Sequence, residues 1–301
     1  MVSILLSVLG LFTLAFLVVF LKDFFANKNN LEEETNWLKS GIIGLLTNFF
    51  DTLGIGSFAP TTALLRTFKQ IKDRVIPGTL NVSCTVPVVI EAFAFITVVK
   101  VEPITLTSML VAAVLGSVLG AGYVSKMPEK KIQLIMGVAL LATAFLMFSK
   151  QLGWIAGLGT GTEIGLTGAK LIAAVVGNFI LGALMTAGIG LYAPCMALVY
   201  ILGMSPAVAF PVMMGSCAFL MPVASIKFVK EGAYNRKVSL AITIGGIIGV
   251  LLAVFVFTSL PLDVLTWLVI AVVTYTGITL LKASMKEVAI EAAETNNKPI
   301  Q

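Results

Sequence analysis

The chain of 301 residues contains no histidine and only three cysteines. The lack of histidine excludes histidine triads, histidine metal sites and histidine proton relays. Cys84, Cys195 and Cys217 all fall in apolar stretches without a close Cys-x-x-Cys spacing, which indicates buried, inert thiols. We therefore expect no catalytic residue, no metal and no cofactor.

Charge is also scarce, because charged residues make up 12% of the chain and hydrophobic ones 58%. An ordinary soluble chain carries about 25% charged residues. Apolar stretches of roughly membrane-spanning length occur at 3–21, 79–99, 104–125, 132–149, 207–226, 238–258 and 262–281. A soluble core cannot bury that many, so the composition predicts an integral membrane protein.

A glycine-rich break occurs twice. Gly-Ile-Gly-Ser-Phe-Ala-Pro at 54–60 returns as Gly-Ile-Gly-Leu-Tyr-Ala-Pro at 188–194, an offset of 134 residues. Further identical pairs at this offset are Thr52 and Thr186, Ala63 and Ala197, Leu64 and Leu198, and Pro77 and Pro211. The pattern predicts two halves of one ancestral unit, and paired glycine and proline interruptions are typical of transporter binding sites.

The distribution of positive charge predicts how the broken segments cross the membrane. If 41–66 and 171–202 each crossed once, the 20 Lys and Arg residues would divide 7 to 13 between the two sides. If each segment turns at its glycines and leaves on the side it entered, the division is 17 to 3. Only Lys100, Lys150 and Lys170 then lie on the other side of the membrane. The positive-inside rule favours these re-entrant hairpins and a cytoplasmic C-terminus.

The predicted fold is therefore an all-α integral membrane protein with two inverted repeats. Each repeat has a re-entrant broken-helix hairpin followed by three transmembrane helices, an odd number of crossings that inverts the second repeat. The predicted units are an N-terminal transmembrane anchor at 1–22 with its N-terminus outside, repeat 1 at 40–150, repeat 2 at 168–282, and a disordered cytoplasmic tail at 283–301.

The hairpin tips are the predicted binding site. The limb that leaves each tip begins near the membrane midplane, so its unpaired amides and positive dipole end favour an anion there. Helix-packing glycines are the simpler alternative for each glycine taken alone. The predicted substrate-binding residues are Asn48, Thr52, Gly54, Ile55, Gly56, Ser57, Phe58, Asn81, Ser83, Thr186, Gly188, Gly190, Leu191, Tyr192, Ser216 and Cys217.

Two acids lie inside apolar stretches. Asp51 precedes the first Gly-Ile-Gly by three residues, and Glu91 lies near the middle of 79–99. Carboxyl groups are costly within a membrane and commonly functional, so we hypothesise that one of them carries a proton during transport. A purely structural role for Asp51 in shaping the tip remains an alternative, and Glu91 has Ser225 as its counterpart.

The tip at 48–57, Pro60 and the second copy at 188–194 resemble the TauE/SafE sulfite exporter family of bacterial membrane proteins. The resemblance covers about residues 40–282. It implies transport of small sulfur-containing or organic anions, usually outward, across the bacterial inner membrane. The second copy departs from the first, with Met185 for Asp51 and Leu191 for Ser57, so we expect unequal contributions from the two halves.

These features together predict a secondary transporter that moves a small sulfur-containing anion by alternating access, coupled to protons. The expected partners are this anion, protons, the lipid bilayer and a second copy of the chain in a homodimer. The basic loops at 66–74 and 126–131 are explained by orientation and anionic lipid, without nucleic acid. A passive anion channel, and a thiol-dependent sulfur-handling membrane enzyme or assembly factor, remain alternatives.

Overall fold

The computed structural model describes residues 2–96, 99–154, 161–256, 267, 270–271 and 273–285. Within these ranges the structure is helical, with connecting turns and one isolated bridge between Glu163 and Met204. The α-helices are α1 Val2–Ala26, α2 Trp37–Thr52, α3 Phe58–Thr67, α4 Ile76–Phe95, α5 Pro103–Val124, α6 Glu129–Gln151, α7 Gly168–Met185, α8 Tyr192–Ile201, α9 Pro206–Lys230 and α10 Arg236–Val256. Residues 273–285 form a further helical segment, α11.

Seven helices in the described part of the chain are long and apolar enough to span a membrane. Six of them, α1, α4, α5, α6, α9 and α10, coincide with predicted apolar stretches, which confirms a multi-pass, all-helical membrane protein. The seventh is α7, which the sequence analysis assigned to a hairpin. Of the predicted stretch at 262–281, residues 267, 270–271 and 273–281 are described and helical, whereas the tail at 283–301 lies largely outside the described residues.

The chain reverses direction between α2 and α3. The Thr61 hydroxyl donates to the Thr47 hydroxyl oxygen at 2.8 Å, and the Asn36 backbone N–H donates to Gln70 Oε1 at 2.9 Å. In a continuous helix Thr47 and Thr61 would stand about 21 Å apart. The two helices therefore lie side by side. The start of α2 and the end of α3 meet at the Asn36–Gln70 contact, which we call the open end of the hairpin.

The α2 helix begins at Trp37, four residues before the predicted broken segment at 41–66. The Asn36 side chain accepts a hydrogen bond from the Lys39 N–H, which satisfies an unpaired donor and starts the helix at Trp37. Its 16 residues make a helix about 24 Å long, still shorter than a hydrocarbon core of about 30 Å.

The chain reverses again between α7 and α8. A Cβ added at Gly177 in α7 would lie 2.9 Å from Leu198 Cδ2 in α8, so the two helices are in close contact. The Ser205 N–H donates to the Glu163 carbonyl at 2.8 Å, which joins the residues just after α8 to those just before α7. This second hairpin has the same organisation as the first.

Each hairpin packs against a helix from the other half of the chain. In the first hairpin, helix α2 packs on α10; in the second hairpin, helix α7 packs on α5. Glycines allow these backbones to pack closely, because a Cβ at Gly44 would clash with the Ile242 carbonyl and a Cβ at Gly182 with the Ala113 carbonyl. Helices α4 and α9 pack on each other at the centre and are the most buried candidate spans.

Candidate functional site

The two hairpin turns depend on glycine. Gly54, Gly56 and Gly188 have φ values of 86°, 90° and 90°, a backbone region that side chains with a Cβ rarely adopt. Gly190 lies outside that region. The glycine repeat therefore reflects a turn requirement at three positions, whereas at Gly190 the missing side chain leaves space beside the other tip.

The helices that leave the turns start without side-chain caps. Ser57 and Leu191 are the N-cap residues of α3 and α8, and neither side chain makes a capping hydrogen bond. Proline occupies the third helical position in both, at Pro60 and Pro194. The first amide groups of each helix are therefore available to a ligand at the positive end of the helix dipole.

Both turns face one small cavity of about 30 Å³. A Cβ added at Gly190 would lie 3.9 Å from Phe58 Cβ, which measures how closely the two tips approach. The lining residues are Asp51, Ile55, Gly56, Ser57, Phe58, Ala59, Val88, Thr143, Met185, Gly190, Leu191, Tyr192 and Cys217. Two helix N-termini from separate halves of the chain therefore meet at one buried point.

Glu91 on α4 connects the two tips. Its Oε1 is 2.9 Å from the Thr52 hydroxyl at the end of α2, and its Oε2 accepts from the Tyr192 hydroxyl at 3.0 Å. Glu91 is fully buried. One carboxyl group from the centre of the protein thus bridges a residue of the first hairpin and a residue of the second.

The contacts of the Thr52 hydroxyl indicate whether the Glu91 carboxyl group carries a proton. It lies 3.0 Å from the Asn48 carbonyl and 2.9 Å from Glu91 Oε1, but it has a single proton to donate. Both contacts become full hydrogen bonds when Thr52 donates to Asn48 and Glu91 Oε1 carries a proton that it donates to Thr52. The geometry therefore fits a neutral Glu91 that donates to one tip and accepts from the other.

Asp51 has a different environment within the first tip. Its Oδ2 accepts a hydrogen bond from the Ser57 hydroxyl at 2.7 Å, which closes the turn. Its Oδ1 is buried and has no hydrogen-bond partner among the described residues. Asp51 lines the cavity, so a ligand bound there could supply the partner that Oδ1 lacks.

Eight of the predicted substrate-binding residues line the cavity, namely Ile55, Gly56, Ser57, Phe58, Gly190, Leu191, Tyr192 and Cys217. The other eight are not among its lining residues: Asn48, Thr52, Gly54, Asn81, Ser83, Thr186, Gly188 and Ser216. Several of these bond their own helix: Asn81 donates to the Pro77 carbonyl, Ser83 to Leu80 and Thr186 to Ala183. Ser216 instead accepts from the Asn178 amide of α7 at 2.8 Å.

Four lining residues were not in the predicted set: Ala59, Val88, Thr143 and Met185. Val88 lies one helical turn before Glu91, and Thr143 is a polar residue within the apolar stretch at 132–149, so both carried a weak signal. Met185 occupies the position equivalent to Asp51. No Lys or Arg is among the lining residues, and no group of three acids or cysteines in the described ranges could hold a metal.

A polytopic helical membrane protein with two glycine-broken hairpins around a buried cavity has the architecture of a membrane transporter. The family model for the sulfite exporter TauE/SafE matches residues 1–147 and 170–300, nearly the whole chain. The chain belongs to this family of membrane anion transporters. Comparison with curated proteins and with solved structures gives no match.

Proposed function

We propose that the protein is a secondary transporter of a small sulfur-containing anion, which binds between the two hairpin tips. The observation that carries the proposal is the pair of uncapped helix N-termini facing one cavity. The amides there are hydrogen-bond donors, and the helix dipoles add positive potential without a charged side chain. The oxygens of a sulfite or sulfonate group suit such donors, and the family description names sulfite.

We further propose that both hairpins are re-entrant and that the repeats are inverted. The open end of the first hairpin is tied to α10, because Glu32, before Asn36, accepts from the Arg236 N–H at 2.9 Å. The open end of the second is tied to the start of α5, because the Glu102 N–H donates to the Ile164 carbonyl at 2.8 Å.

The course of α5 supports opposite entry of the two hairpins. A Cβ at Gly122, in its last turn, would lie 3.9 Å from Lys227 Cε, next to the loop that starts α10. The start and the end of α5 therefore lie at opposite ends of the bundle, and so do the open ends of the hairpins. With Lys100 and Lys170 near one end and Arg66 to Arg74 near the other, the positive-inside rule gives a cytoplasmic C-terminus and an external N-terminus.

The size of the cavity and the Glu91 bridge support transport by alternating access. A volume of about 30 Å³ exceeds the space that one water needs, but a sulfur with three or more oxygens is much larger. The tips must therefore separate to admit the anion, and the bonds of Glu91 to Thr52 and Tyr192 oppose that separation. Opening of one hairpin at a time gives access from one side at a time, and a proton carried by Asp51 or Glu91 couples the cycle to the pH gradient.

The first test is anion-dependent thermal stabilisation of the purified protein in detergent. A ligand that binds the folded state raises the melting temperature by mass action. We expect sulfite, sulfoacetate or another sulfonate to stabilise the protein, and simple carboxylates to stabilise it less. Ser57→Ala and Gly190→Leu should lose the shift, because the first alters the tip and the second fills the space beside Phe58.

Gly10→Leu in α1 is the matched control, since a Cβ at Gly10 meets no atom within 4 Å and lies away from the cavity. This variant should keep the shift. Stabilisation by no anion, or an equal shift in all three variants, contradicts the proposed site.

Counterflow of the labelled anion in vesicles then separates the carrier from its rivals. Saturable exchange supports alternating access, whereas single-channel currents identify a passive pore. Combined replacement of Cys84, Cys195 and Cys217 by serine should leave exchange largely intact. Complete loss of exchange with unchanged folding would instead indicate thiol chemistry.

A further inference from the structure

The two buried acids of the site differ in what their oxygens touch. Glu91 uses Oε1 for Thr52 and Oε2 for Tyr192, so neither oxygen is free to meet a ligand. Asp51 uses Oδ2 for Ser57, and its buried Oδ1 has no hydrogen-bond partner among the described residues, although Asp51 lines the cavity. Of these two acids, Asp51 is therefore the one with a carboxyl oxygen left for an anion between the tips.

Among the residues that the structure describes, no positively charged group compensates Asp51. The ionisable groups that interact with it are Glu91 and Cys84 on α4, Tyr192 on α8 and Cys217 on α9. The two other helices packed on α2 carry cations only at their far ends. These are Arg66 on α3, which is paired with Asp73, and Arg236 and Lys237 at the start of α10. An anion that approaches Asp51 thus meets acids, thiols and a phenol.

A bare Asp51 carboxylate would repel the same anion that the helix N-termini attract. A proton on Oδ1 removes this repulsion and makes the acid a donor, in an O–H···O⁻ bond of the strong, charge-assisted kind. Without that proton, Oδ1 also stays buried with no hydrogen bond, which is unfavourable. A single proton on Oδ1 therefore gives this oxygen a hydrogen bond to the bound anion and removes the charge repulsion.

We propose that Asp51 binds the anion as a protonated acid, so that each anion crosses the membrane together with one proton. The inference rests on the proposed anion site between the tips. The proton is taken from the side on which the anion enters and returns to solution with the anion on the other side. Glu91 keeps its own proton in the bridge and is the positioning residue that holds the tips together.

Cotransport of one proton with one monovalent anion moves no net charge. The membrane potential then exerts no force on the translocated pair, and the direction of transport follows the anion and pH gradients alone. This distinguishes the proposal from exchange of an anion for a proton, in which acid on the opposite side of the membrane drives the anion across.

Titration calorimetry with methanesulfonate tests the proton count, because the charge of this sulfonate is constant between about pH 5 and 10. Measurements in buffers of different ionisation enthalpy give the number of protons taken up per anion. We expect a window in which about one proton is taken up and affinity falls tenfold per pH unit, with a flat limit at lower pH. Affinity that is independent of pH throughout, with no proton uptake, overturns the inference.

The two amide variants form a matched pair. Asp51→Asn supplies a permanent N–H donor at this position, so we expect binding without proton uptake and without pH dependence. Glu91→Gln should retain the proton uptake of the unchanged protein. The reverse result, with uptake lost in Glu91→Gln and kept in Asp51→Asn, overturns the assignment to Asp51.

Vesicle transport gives a second readout that does not require Asp51→Asn to fold. With the membrane potential clamped, acid on the same side as methanesulfonate should accelerate its entry into vesicles. Acceleration by acid on the opposite side contradicts cotransport while leaving the anion site intact. If methanesulfonate and sulfite neither bind nor move at any pH, the proposed function itself fails.

Discussion

The two halves of the chain share one backbone plan but differ in chemistry at equivalent positions. The first tip carries Asp51 and Ser57, joined by a hydrogen bond of 2.7 Å, whereas the second carries Met185 and Leu191 in their places. Glu91 in the first half is fully buried and bonded to both tips, and its counterpart Ser225 bonds Thr85 at 3.0 Å. The glycine turns occur in both halves, whereas the two acids at the site, Asp51 and Glu91, belong to the first half.

This difference indicates that the two hairpins have different roles in the site. Both halves supply a helix N-terminus. Anion binding there uses backbone amides, so it does not depend on which side chain each half carries. Proton chemistry needs a carboxyl group, and one such group per site is sufficient because the two tips face the same cavity. The second tip contributes Tyr192, which reaches across to Glu91, and otherwise apolar surface.

The largest expected effect is at Glu91. Glu91→Ala removes the bridge, leaves the Tyr192 hydroxyl buried without its acceptor and creates a cavity, so we expect a loss of about 3 kcal/mol in unfolding free energy and no transport. Glu91→Gln can donate to Thr52 and accept from Tyr192 as the protonated acid does, so its stability should remain within about 1 kcal/mol. Unfolding in detergent micelles and counterflow measure both effects.

Ser225→Ala is the control for this pair, because Ser225 occupies the equivalent position in the second half and is equally buried. Its bond to Thr85 joins two helices but no hairpin tip. We expect a loss of about 1 kcal/mol with transport retained. Equal loss of transport in Ser225→Ala and Glu91→Ala would remove the distinction between the halves.

A second comparison concerns Ser57 and Leu191. Ser57→Ala leaves Asp51 Oδ2 without its side-chain donor, so we expect a loss of about 2 kcal/mol and weaker anion binding. Leu191→Ala removes packing at the other tip without breaking a polar contact, so any loss of stability should come with anion selectivity unchanged. Thermal unfolding with and without each anion measures the stability and the anion binding of the two variants. Reduced anion selectivity in Leu191→Ala, with unchanged selectivity in Ser57→Ala, would contradict the roles proposed for these two residues.

The equivalent glycines Gly56 and Gly190 separate backbone strain from site volume. A Cβ at Gly56 meets nothing within 4 Å, but its φ of 90° makes Gly56→Ala strained, with an expected loss of about 1 kcal/mol. Gly190→Ala avoids this strain, and its methyl group would lie 3.9 Å from Phe58. We expect nearly unchanged stability but weaker anion binding, read from melting curves and titration calorimetry; the opposite pattern would contradict the two glycine roles.

The sequence predicted the parts of the site that depend on local backbone chemistry. A repeated Gly-Ile-Gly followed by Ala-Pro signals a tight turn and a helix start, and the structure has φ values near 90° at Gly54, Gly56 and Gly188. The partners of Glu91 could not be predicted, because Thr52 and Tyr192 are 39 and 101 residues away. Their contact arises from packing of three separate helices.

The polar residues Asn81 and Ser83 on α4 show what a single sequence leaves open. Asn81 and Ser83 read as site residues because polar groups are rare in such stretches, yet each side chain donates to a carbonyl of its own helix. A single sequence does not distinguish a side chain that bonds its own helix from one that faces a ligand, since both occur on apolar helices. The missed Val88 and Met185 are apolar and carried little signal of their own.

The smallest expected effect concerns how the equivalent helices α5 and α10 begin. The Glu102 side chain caps α5 and accepts from the Ile104 and Thr105 N–H groups at 3.0 and 2.7 Å. At the equivalent position Arg236 starts α10, and Glu32 from a distant loop accepts from its N–H. The first of these caps is local in sequence, and the second depends on the folded loop.

The hydrogen bonds from Thr105 and Ile104 lower the pKa of Glu102 below its ordinary value of 4.5. A lowered pKa in the folded state gives stabilisation that is complete above 4.5 and disappears as pH falls through the folded value. We therefore expect Glu102→Gln to lower the melting temperature slightly at pH 7, with the difference from the unchanged protein vanishing in strong acid. A Glu102→Gln deficit that persists in acid would assign the cap's contribution to geometry rather than charge.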